Sequence, residues 1–315
     1  EAGMLRLDEK VIVSENAHSH VHTDGSVVFL EMGEKRTVEE LLIGIAVGSG
    51  NDACVALAER IGGSENQFVN LMNQRAKELG MHNTRLVNPH GMPAPDHYTT
   101  AYDIALMCAE ATKYPQLLQY TSIYEYQYRA DPLLILWNTN KLLAWYEGVV
   151  DGLKTGWTEK AGYCLAATGE RDGFRLISVV LGCPVPRSHF QEAIKFLNYG
   201  FARYTALSIA DKGEVKASLP VLRGVQQELN LLCDRPLSVS VLKGEESTVS
   251  WELNLGSDQV LAPVAQGTKF GKIIVKKDGK LVTEVDLIAE KDIERLNVGG
   301  LLVRVFNSWL SGGTK

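Results

Sequence analysis

Two features that this 315-residue sequence lacks narrow the classes of protein it can belong to. No uncharged apolar run approaches the roughly 18 residues that a membrane-spanning helix requires. There is no run of lysine or arginine, and the formal net charge is -6, so a surface that follows nucleic-acid phosphates is not indicated. What remains, 45% hydrophobic and 22% charged residues, is the composition of an ordinary globular protein long enough for two domains.

Cysteine is also scarce, and its placement excludes two further classes. The five cysteines are scattered without Cys-x-x-Cys spacing, so neither a cysteine zinc site nor a disulfide framework is indicated. Their odd number leaves at least one thiol unpaired. Cys54 and Cys108 fall on apolar faces of helical patterns, where a free cysteine is usually a small core residue.

Helical patterns dominate the first half of the chain. Thr37 and Glu40 have capping-box spacing before an apolar run that Gly48-Ser49-Gly50 interrupts. A second helix is predicted to follow at once, with Asn51 and Asp52 as its caps. Ser49 is therefore predicted in a tight loop between two apolar helices.

Two more helix starts and an irregular loop come next. Ser64 with Gln67 and Thr100 with Asp103 repeat the capping-box spacing, and the second of these helices should stop before Pro115. Between them, the prolines and glycine of residues 88–95 indicate a loop.

The pattern changes to strands near Val149. Runs at Cys164–Thr168 and Phe174–Leu181, separated by Asp172-Gly173, predict a hairpin, and Gln191–Tyr204 returns to helical spacing. After about Ala206 short alternating strands predict a small all-β domain.

The last stretch, residues 293–310, has a helical apolar stripe. Arg295 and Arg304 would be available to phospholipid head groups if the helix lay on a membrane. The stripe is compatible with two interpretations, a helix on the membrane surface and a helix docked on its own domain, because either one needs an apolar face. The stripe comprises Leu296, Leu301, Leu302, Val305, Phe306, Trp309 and Leu310.

Two short motifs carry the chemistry. Ser49-Gly50-Asn51 lies between two predicted helices, and Lys154-Thr155-Gly156 begins the strand region about a hundred residues later. Penicillin-interacting serine hydrolases combine a Ser-x-Asn loop and a Lys-Thr-Gly strand with a Ser-x-x-Lys nucleophile. Either motif alone would be weak evidence, but their order and context favour such a hydrolase.

Longer matches make the resemblance specific and extend it over nearly the whole chain. The sequence resembles the low-molecular-mass penicillin-binding proteins that are serine-type D-alanyl-D-alanine carboxypeptidases. The matching segments are Phe29–Glu34, Ser49–Ala53, Asn88–Gly91, Asp151–Thr158 and Ala161–Tyr163.

The resemblance implies an α+β fold in three parts. Residues 1–204 would form a penicillin-binding, β-lactamase-like catalytic domain in which helices cover an antiparallel sheet beside a helical cluster. Residues 205–290 would form a small β-rich domain, and residues 291–315 an amphipathic helix on the membrane surface.

The implied activity is removal of the terminal D-alanine from peptidoglycan stem peptides through a serine acyl-enzyme, which β-lactams would also form. The resemblance places such a protein in the bacterial cell envelope, exported to the outer face of the cytoplasmic membrane. It implies neither a cofactor nor a nucleic-acid partner. The alternatives are a non-catalytic relative that binds muropeptides or acts as a scaffold and, third, a β-lactamase, which the long β domain disfavours.

Three residues would carry catalysis according to the resemblance. Ser49 would relay protons to the leaving amine, Asn51 would hold the substrate amide, and Lys154 would supply positive potential beside the nucleophile. A lysine close to a serine and a second lysine can have its pKa lowered enough to act as a base.

Four residues would bind the substrate. Thr155 and Gly156 would lie at a strand edge, where the substrate adds as an extra strand and its carboxylate meets the Thr155 hydroxyl. The backbone N–H of Trp157 would be one oxyanion-hole donor. His189 stands where the family usually has an arginine for the terminal carboxylate, and a neutral histidine is a weaker anion partner; Arg187 is a possible substitute.

The Ser-x-x-Lys motif is missing from its family position, which would fall upstream of Glu1. The chain contains Ser240-Val241-Leu242-Lys243, but alternation with Leu237 and Val239 predicts that this serine belongs to a strand of the β domain. The start at Glu1, without an initiator methionine or signal peptide, leads us to expect that an upstream segment was removed or left out.

His18, His20 and His22 alternate, so a strand would point all three to one side, as a metal site requires. We favour the interpretation that these histidines are exposed polar residues, because a metal site needs ligands of fixed geometry and residues that hold those ligands in place.

Overall fold

The computed structural model describes residues 5–311, without the side chains of 305 and 307–311. The chain forms two compact units that divide between Ala202 and Arg203.

The first unit combines a helical cluster with a small antiparallel sheet. Its helices are α1 (Glu15–Ser19), α2 (Val38–Ala46), α3 (Asn51–Gly62), α4 (Glu65–Glu78), α5 (Ala101–Ala111), α6 (Pro115–Thr121), α7 (Leu142–Trp145) and α8 (Ser188–Arg203). Its strands are β1 (Lys10–Ile12), β2 (Lys35–Thr37), β3 (Glu125–Arg129), β4 (Leu134–Trp137), β5 (Val150–Thr158), β6 (Gly162–Arg171) and β7 (Phe174–Cys183).

The helix pair α2–α3 begins and ends as its sequence predicts. The Thr37 side chain accepts a hydrogen bond from the Glu40 N–H while Glu40 accepts one from Thr37, so both bonds of the capping box form. Gly63 ends α3 in the left-handed conformation. The prediction that Asn51 and Asp52 cap α3 is wrong: Gly50 is the N-cap residue, and both side chains are buried in the first turn.

Strands β5, β6 and β7 form an antiparallel sheet in that order. Asp172 and Gly173, with φ of 53° and 73°, make the tight turn between β6 and β7, which confirms the predicted hairpin. Helix α8 crosses β7 closely at Gly200, where an added Cβ would lie 2.4 Å from Leu176 Cδ1. Helices α6 and α7 pack against β5.

The second unit is mostly β, as predicted. Its elements are β8 (Tyr204–Ala210), β9 (Val215–Leu222), β10 (Glu228–Cys233), β11 (Leu237–Leu242), β12 (Val249–Leu255), β13 (Val260–Leu261), β14 (Lys269–Lys277), β15 (Lys280–Ala289) and α9 (Val298–Ser311). A six-stranded sheet has the order β12-β14-β15-β10-β9-β13, and β11 pairs with β8. Ser240 lies in β11 on its exposed face, as the alternation predicts.

The terminal helix begins later than the apolar pattern indicates. Ile293 is 1% exposed in the β core and pairs with Val264, so the helix begins at Val298 rather than at 293. Arg304 donates to the carbonyls of Gly224 and Val225, which contradicts the expectation that it is available to lipid. The predicted stripe residues Val305, Trp309 and Leu310 lie outside the described side chains. Within residues 5–311 we find no helix that combines the length and apolarity needed to cross a membrane.

The three alternating histidines do not form a strand. His18 lies in α1, and His20 and His22 lie in a 3₁₀ turn, because Ser14 caps α1 through its side chain. His18 Nδ1 lies 2.7 Å from the Leu30 carbonyl oxygen. The strand geometry behind the zinc interpretation is therefore wrong.

Candidate active site

The Ser49 loop is a tight connection between α2 and α3. Ser49 has φ of 56°, a left-handed conformation that is strained for a serine. The Gly50 N–H donates to the Gly44 carbonyl at 3.1 Å, and the Asn51 N–H donates to Ser26 at 2.8 Å. At Gly48 an added Cβ would lie 2.8 Å from Val28 Cγ1, so the loop also needs a glycine.

Asn51 and Asp52 are both buried, but they differ in their hydrogen bonding. Asn51 is 6% exposed, and its Nδ2 has no acceptor among the described residues. Asp52 is fully buried, and its carboxylate accepts from the N–H groups of Val28, Leu30 and Ala53 at 2.9 to 3.2 Å. Asp52 thus fixes the segment that crosses the start of α3, whereas the Asn51 amide keeps an unused donor.

Lys154 lies in the middle of β5, and its amino group is largely buried. Nζ donates to the Thr155 carbonyl at 2.9 Å, and burial lowers the pKa of Lys154 to about 8. The Cys54 thiol of α3 interacts electrostatically with this amine, and burial raises the pKa of that thiol to about 12. The structure therefore brings the first turn of α3, with Asn51, to the Lys-Thr-Gly strand.

Thr155 is half-buried on β5, and its hydroxyl lies 2.5 Å from the hydroxyl of Thr139. Thr139 belongs to the turn between β4 and α7, whose neighbours Asn138 and Asn140 are buried. Two hydroxyls from different elements thus meet at the Lys-Thr-Gly strand.

The last residues of β5 are exposed, whereas Thr121 and Asn140 donate to the carbonyls of Asp151 and Gly152 near its start. Within residues 5–311 only β6 pairs with β5 as a strand. Gly156 and Trp157 follow Thr155 along this strand and are exposed, Trp157 to 61%. An extended peptide could add to this part of β5 through main-chain hydrogen bonds.

His189 does not reach solvent as an anion-binding side chain would. It is 5% exposed in α8 and stacks on Tyr163, with ring centroids 5.5 Å apart and planes at 16°. Tyr163 in turn contacts Trp157 at 5.9 Å. Burial lowers the pKa of His189, so this ring is neutral at pH 7.

Of the residues predicted from the sequence, Ser49 and Asn51 share one loop and helix start, and Lys154 to Trp157 share one strand. Three others had not been predicted: Asp52 as an acceptor rather than a cap, Cys54 beside Lys154, and Thr139 beside Thr155. The spacing Asn138-Thr139-Asn140, two amides flanking a hydroxyl after a strand, was the available signal for the last. In the part of the chain described, no group of three or more His, Cys, Asp or Glu side chains is placed to hold a metal ion.

Comparison with known proteins identifies the class. The D-alanyl-D-alanine carboxypeptidase family matches residues 1–185, and the C-terminal domain of penicillin-binding protein 5 matches residues 204–295. The chain belongs to the D-alanyl-D-alanine carboxypeptidase family, as its motifs predicted.

Individual relatives agree. A D-alanyl-D-alanine carboxypeptidase of Bacillus subtilis is 38% identical over 98% of this chain and 79% of its own length. Penicillin-binding protein 5 from Haemophilus influenzae superposes with a TM-score of 0.72 at 31% identity, over 93% of this chain and 85% of that one. A peptidoglycan synthesis regulatory factor from Streptococcus pneumoniae gives 0.75 at 27% identity, over 93% and 87%. The predicted α+β, penicillin-binding fold with a C-terminal β domain is confirmed.

Proposed function

We propose that this protein is a D-alanyl-D-alanine carboxypeptidase that removes the terminal D-alanine of peptidoglycan stem peptides and is acylated by penicillin. The observation that carries this proposal is the amine of Lys154. It is buried on a strand whose last residues are exposed, beside the start of α3, with its pKa lowered to about 8. Family membership agrees with it.

The nucleophilic serine of such hydrolases belongs to a Ser-x-x-Lys motif. The Ser-x-x-Lys sequence of the chain, at Ser240–Lys243, lies in a strand of the β domain. In the proposed reaction the nucleophilic serine forms an ester with the penultimate D-alanine carbonyl, and the terminal D-alanine leaves as an amine that takes up a proton. Water then cleaves the ester and regenerates the serine.

Ser49, Asn51 and Lys154 would serve the acyl transfer. Ser49 stands on a strained loop that its neighbours fix, and it would pass a proton to the leaving amine. The buried Nδ2 of Asn51, which has no partner in the part of the chain that the structure describes, would donate to the substrate amide carbonyl. The amine of Lys154 would place positive potential beside the nucleophile and the developing negative charge.

Strand β5 would position the peptide. The open edge at Thr155 and Gly156 would pair with the extended stem peptide, the Thr155 hydroxyl would meet its carboxylate, and the Trp157 N–H would serve as an oxyanion donor. His189 would contribute through Tyr163 packing more than through charge, because its ring is buried and neutral.

The family places its members at the cell envelope, and we propose the exported, outer face of the cytoplasmic membrane for this protein. We retain the division into a catalytic domain (1–204), a β domain (205–290) and a terminal segment (291–315), whose helix begins at Val298. Val298, Leu302, Val303 and Phe306 of that helix are exposed, between 58% and 74%, which supports contact with a membrane surface.

The deciding experiment uses protein expressed from the complete open reading frame. After incubation with benzylpenicillin, intact mass should rise by one equivalent of the antibiotic, and D-alanine should be released from a diacetyl-Lys-D-Ala-D-Ala substrate. Lys154→Met should slow adduct formation by roughly a hundredfold. Ser240→Ala should leave adduct formation unchanged, because Ser240 lies in the β domain.

Absence of both the adduct and D-alanine release would overturn the enzymatic proposal. If the same protein still bound the peptide, the non-catalytic muropeptide-binding function would replace it.

A further inference from the structure

The contact between Thr139 and Thr155 joins two hydroxyls from different elements. Thr139 is exposed and Thr155 half-buried, and their oxygens lie 2.5 Å apart. A threonine hydroxyl has one proton and two acceptor positions. When one hydroxyl donates to the other, the second proton is left for a third group on the solvent side.

Buried amides hold Thr139 in place from both sides. Asn138 donates to the carbonyls of Thr121 at 3.2 Å and Ile123 at 2.9 Å, and its oxygen accepts from the Asn140 N–H at 2.8 Å. Asn140 donates to the Gly152 carbonyl of β5 at 3.1 Å. The turn is thus tied to the strand that carries Thr155, so the hydroxyl pair is fixed before any ligand arrives.

Two neighbouring residues, His189 and Lys154, do not supply the hydrogen bond that the carboxylate of a bound peptide would accept. His189 is buried and neutral, so it offers no positive charge. The Lys154 amine already donates to the Thr155 carbonyl and supplies potential rather than a direct bond to this hydroxyl. An oriented hydroxyl on the same strand as that amine matches a carboxylate, which only accepts hydrogen bonds.

We infer that Thr139 is a positioning residue for substrate recognition: its hydroxyl donates to Thr155 Oγ1 and thereby directs the Thr155 O–H to the terminal carboxylate of the stem peptide. The inference rests on the proposed function. It means that this hydroxyl pair makes the protein prefer a peptide with a free terminal carboxylate over one with a neutral C-terminus. A terminal amide presents one acceptor oxygen and an NH₂ donor, so it uses the oriented O–H less well.

Equilibrium binding tests this without the acylation step. Diacetyl-Lys-D-Ala-D-Ala and its C-terminal amide are titrated calorimetrically into the 315-residue chain and into Thr139→Val and Thr139→Ser. Wild type should prefer the carboxylate. Thr139→Val should weaken carboxylate binding by about fivefold, the worth of one neutral hydrogen bond, and leave amide binding within about twofold. Thr139→Ser, which keeps the hydroxyl, should restore the preference.

Thr99→Val is the matched control. It removes one member of a second hydroxyl pair of the same unit, Thr84 with Thr99 at 2.8 Å, and should change neither affinity. If wild type prefers the carboxylate and Thr139→Val keeps the same preference, the inference fails while the proposed function stands. Equal loss of both peptides in Thr139→Val would also overturn it, since Thr139 would then support only the fold. If wild type binds neither peptide, the proposed function and the inference fail together.

Discussion

Gly25 lies directly over the side chain of Asn51. An added Cβ on Gly25 would stand 2.4 Å from Asn51 Nδ2 and 3.4 Å from Met92 Sδ. Its φ of 130° also belongs to a region that other residues rarely adopt. The chain can therefore cross the Asn51 amide at this point only with glycine.

Gly25→Ala should displace the Asn51 amide and weaken binding of diacetyl-Lys-D-Ala-D-Ala by about tenfold or more, because the donor would lose its fixed position. Calorimetric titration measures this. Gly33→Ala is the matched control, since Gly33 also has a positive φ, 79°, but no described atom would lie within 4 Å of an added Cβ. Both variants should lose about 1 kcal/mol of stability from backbone strain, but only Gly25→Ala should lose binding. Equal affinities of the two variants would contradict the proposed role of Asn51.

Asp52 should stabilise the first unit more than any exposed carboxylate does. Asp52→Ala leaves the N–H groups of Val28, Leu30 and Ala53 without their acceptor in a buried place. We expect a loss of roughly 3 kcal/mol in the free energy of unfolding, measured in urea. Asp52→Asn should lose less, because one oxygen can still accept. The exposed Asp24→Asn should change stability by less than about 0.5 kcal/mol, and a similarly small loss for Asp52→Ala would contradict the assignment.

The buried amide of Asn51 should lower the free energy of unfolding relative to an apolar side chain, while it contributes to peptide binding. Its Nδ2 is buried and has no acceptor among residues 5–311. Asn51→Leu has a similar branched shape, so it should keep the free energy of unfolding or raise it by up to about 1 kcal/mol, while peptide binding is lost. Urea unfolding and calorimetry measure the two effects. Asn73→Leu is the contrast.

The amide of Asn73 donates to the carbonyls of Val69 and Leu86 and accepts from the Leu86 N–H. Its replacement should therefore cost about 2 kcal/mol. A comparable loss for Asn51→Leu would mean that the Asn51 amide has a structural partner and is not a reserved donor.

The elements with strong local signals could be predicted from the sequence. The capping box at Thr37 and the Asp172-Gly173 turn each specify their conformation within a few residues, and they formed as predicted. The strand prediction for His18 to His22 failed because a period of two is also compatible with short helical turns once Ser14 caps them. Ile293 was misassigned because an apolar residue before a helix can belong to the core of a sheet.

Within the site, the motifs located Ser49, Asn51 and Lys154, but not the residues that support them. Asp52 looks like a helix cap in sequence, and only the path of residues 28–30 over α3 makes it a buried acceptor. Cys54 interacts with Lys154, about 100 positions away, and Thr139 contacts Thr155, 16 positions away. Contacts of this kind depend on tertiary packing, which no local pattern encodes.

The buried amine of Lys154 should make stability depend on pH in one defined window. Burial lowers its pKa from the ordinary value of 10.5 to about 8 in the folded protein. Between pH 8 and about 10.5 the unfolded chain therefore binds more protons at this residue than the folded chain does, and folding stability rises with pH. Below pH 8 both states are protonated, and the folded state retains the full cost of a buried charge.

Lys154→Met removes this titration and keeps an apolar side chain of similar length. Relative to Lys154→Met, wild type should gain about 1 to 3 kcal/mol in free energy of unfolding as the pH rises from 7.5 to 10, since one pKa unit corresponds to about 1.4 kcal/mol. Urea unfolding of both proteins at several pH values measures the difference, in which the titration of other groups cancels. The exposed Lys160→Met should parallel wild type throughout. If wild type and Lys154→Met had parallel profiles, the amine would keep an ordinary pKa, and the electrostatic basis of the proposed site would be lost.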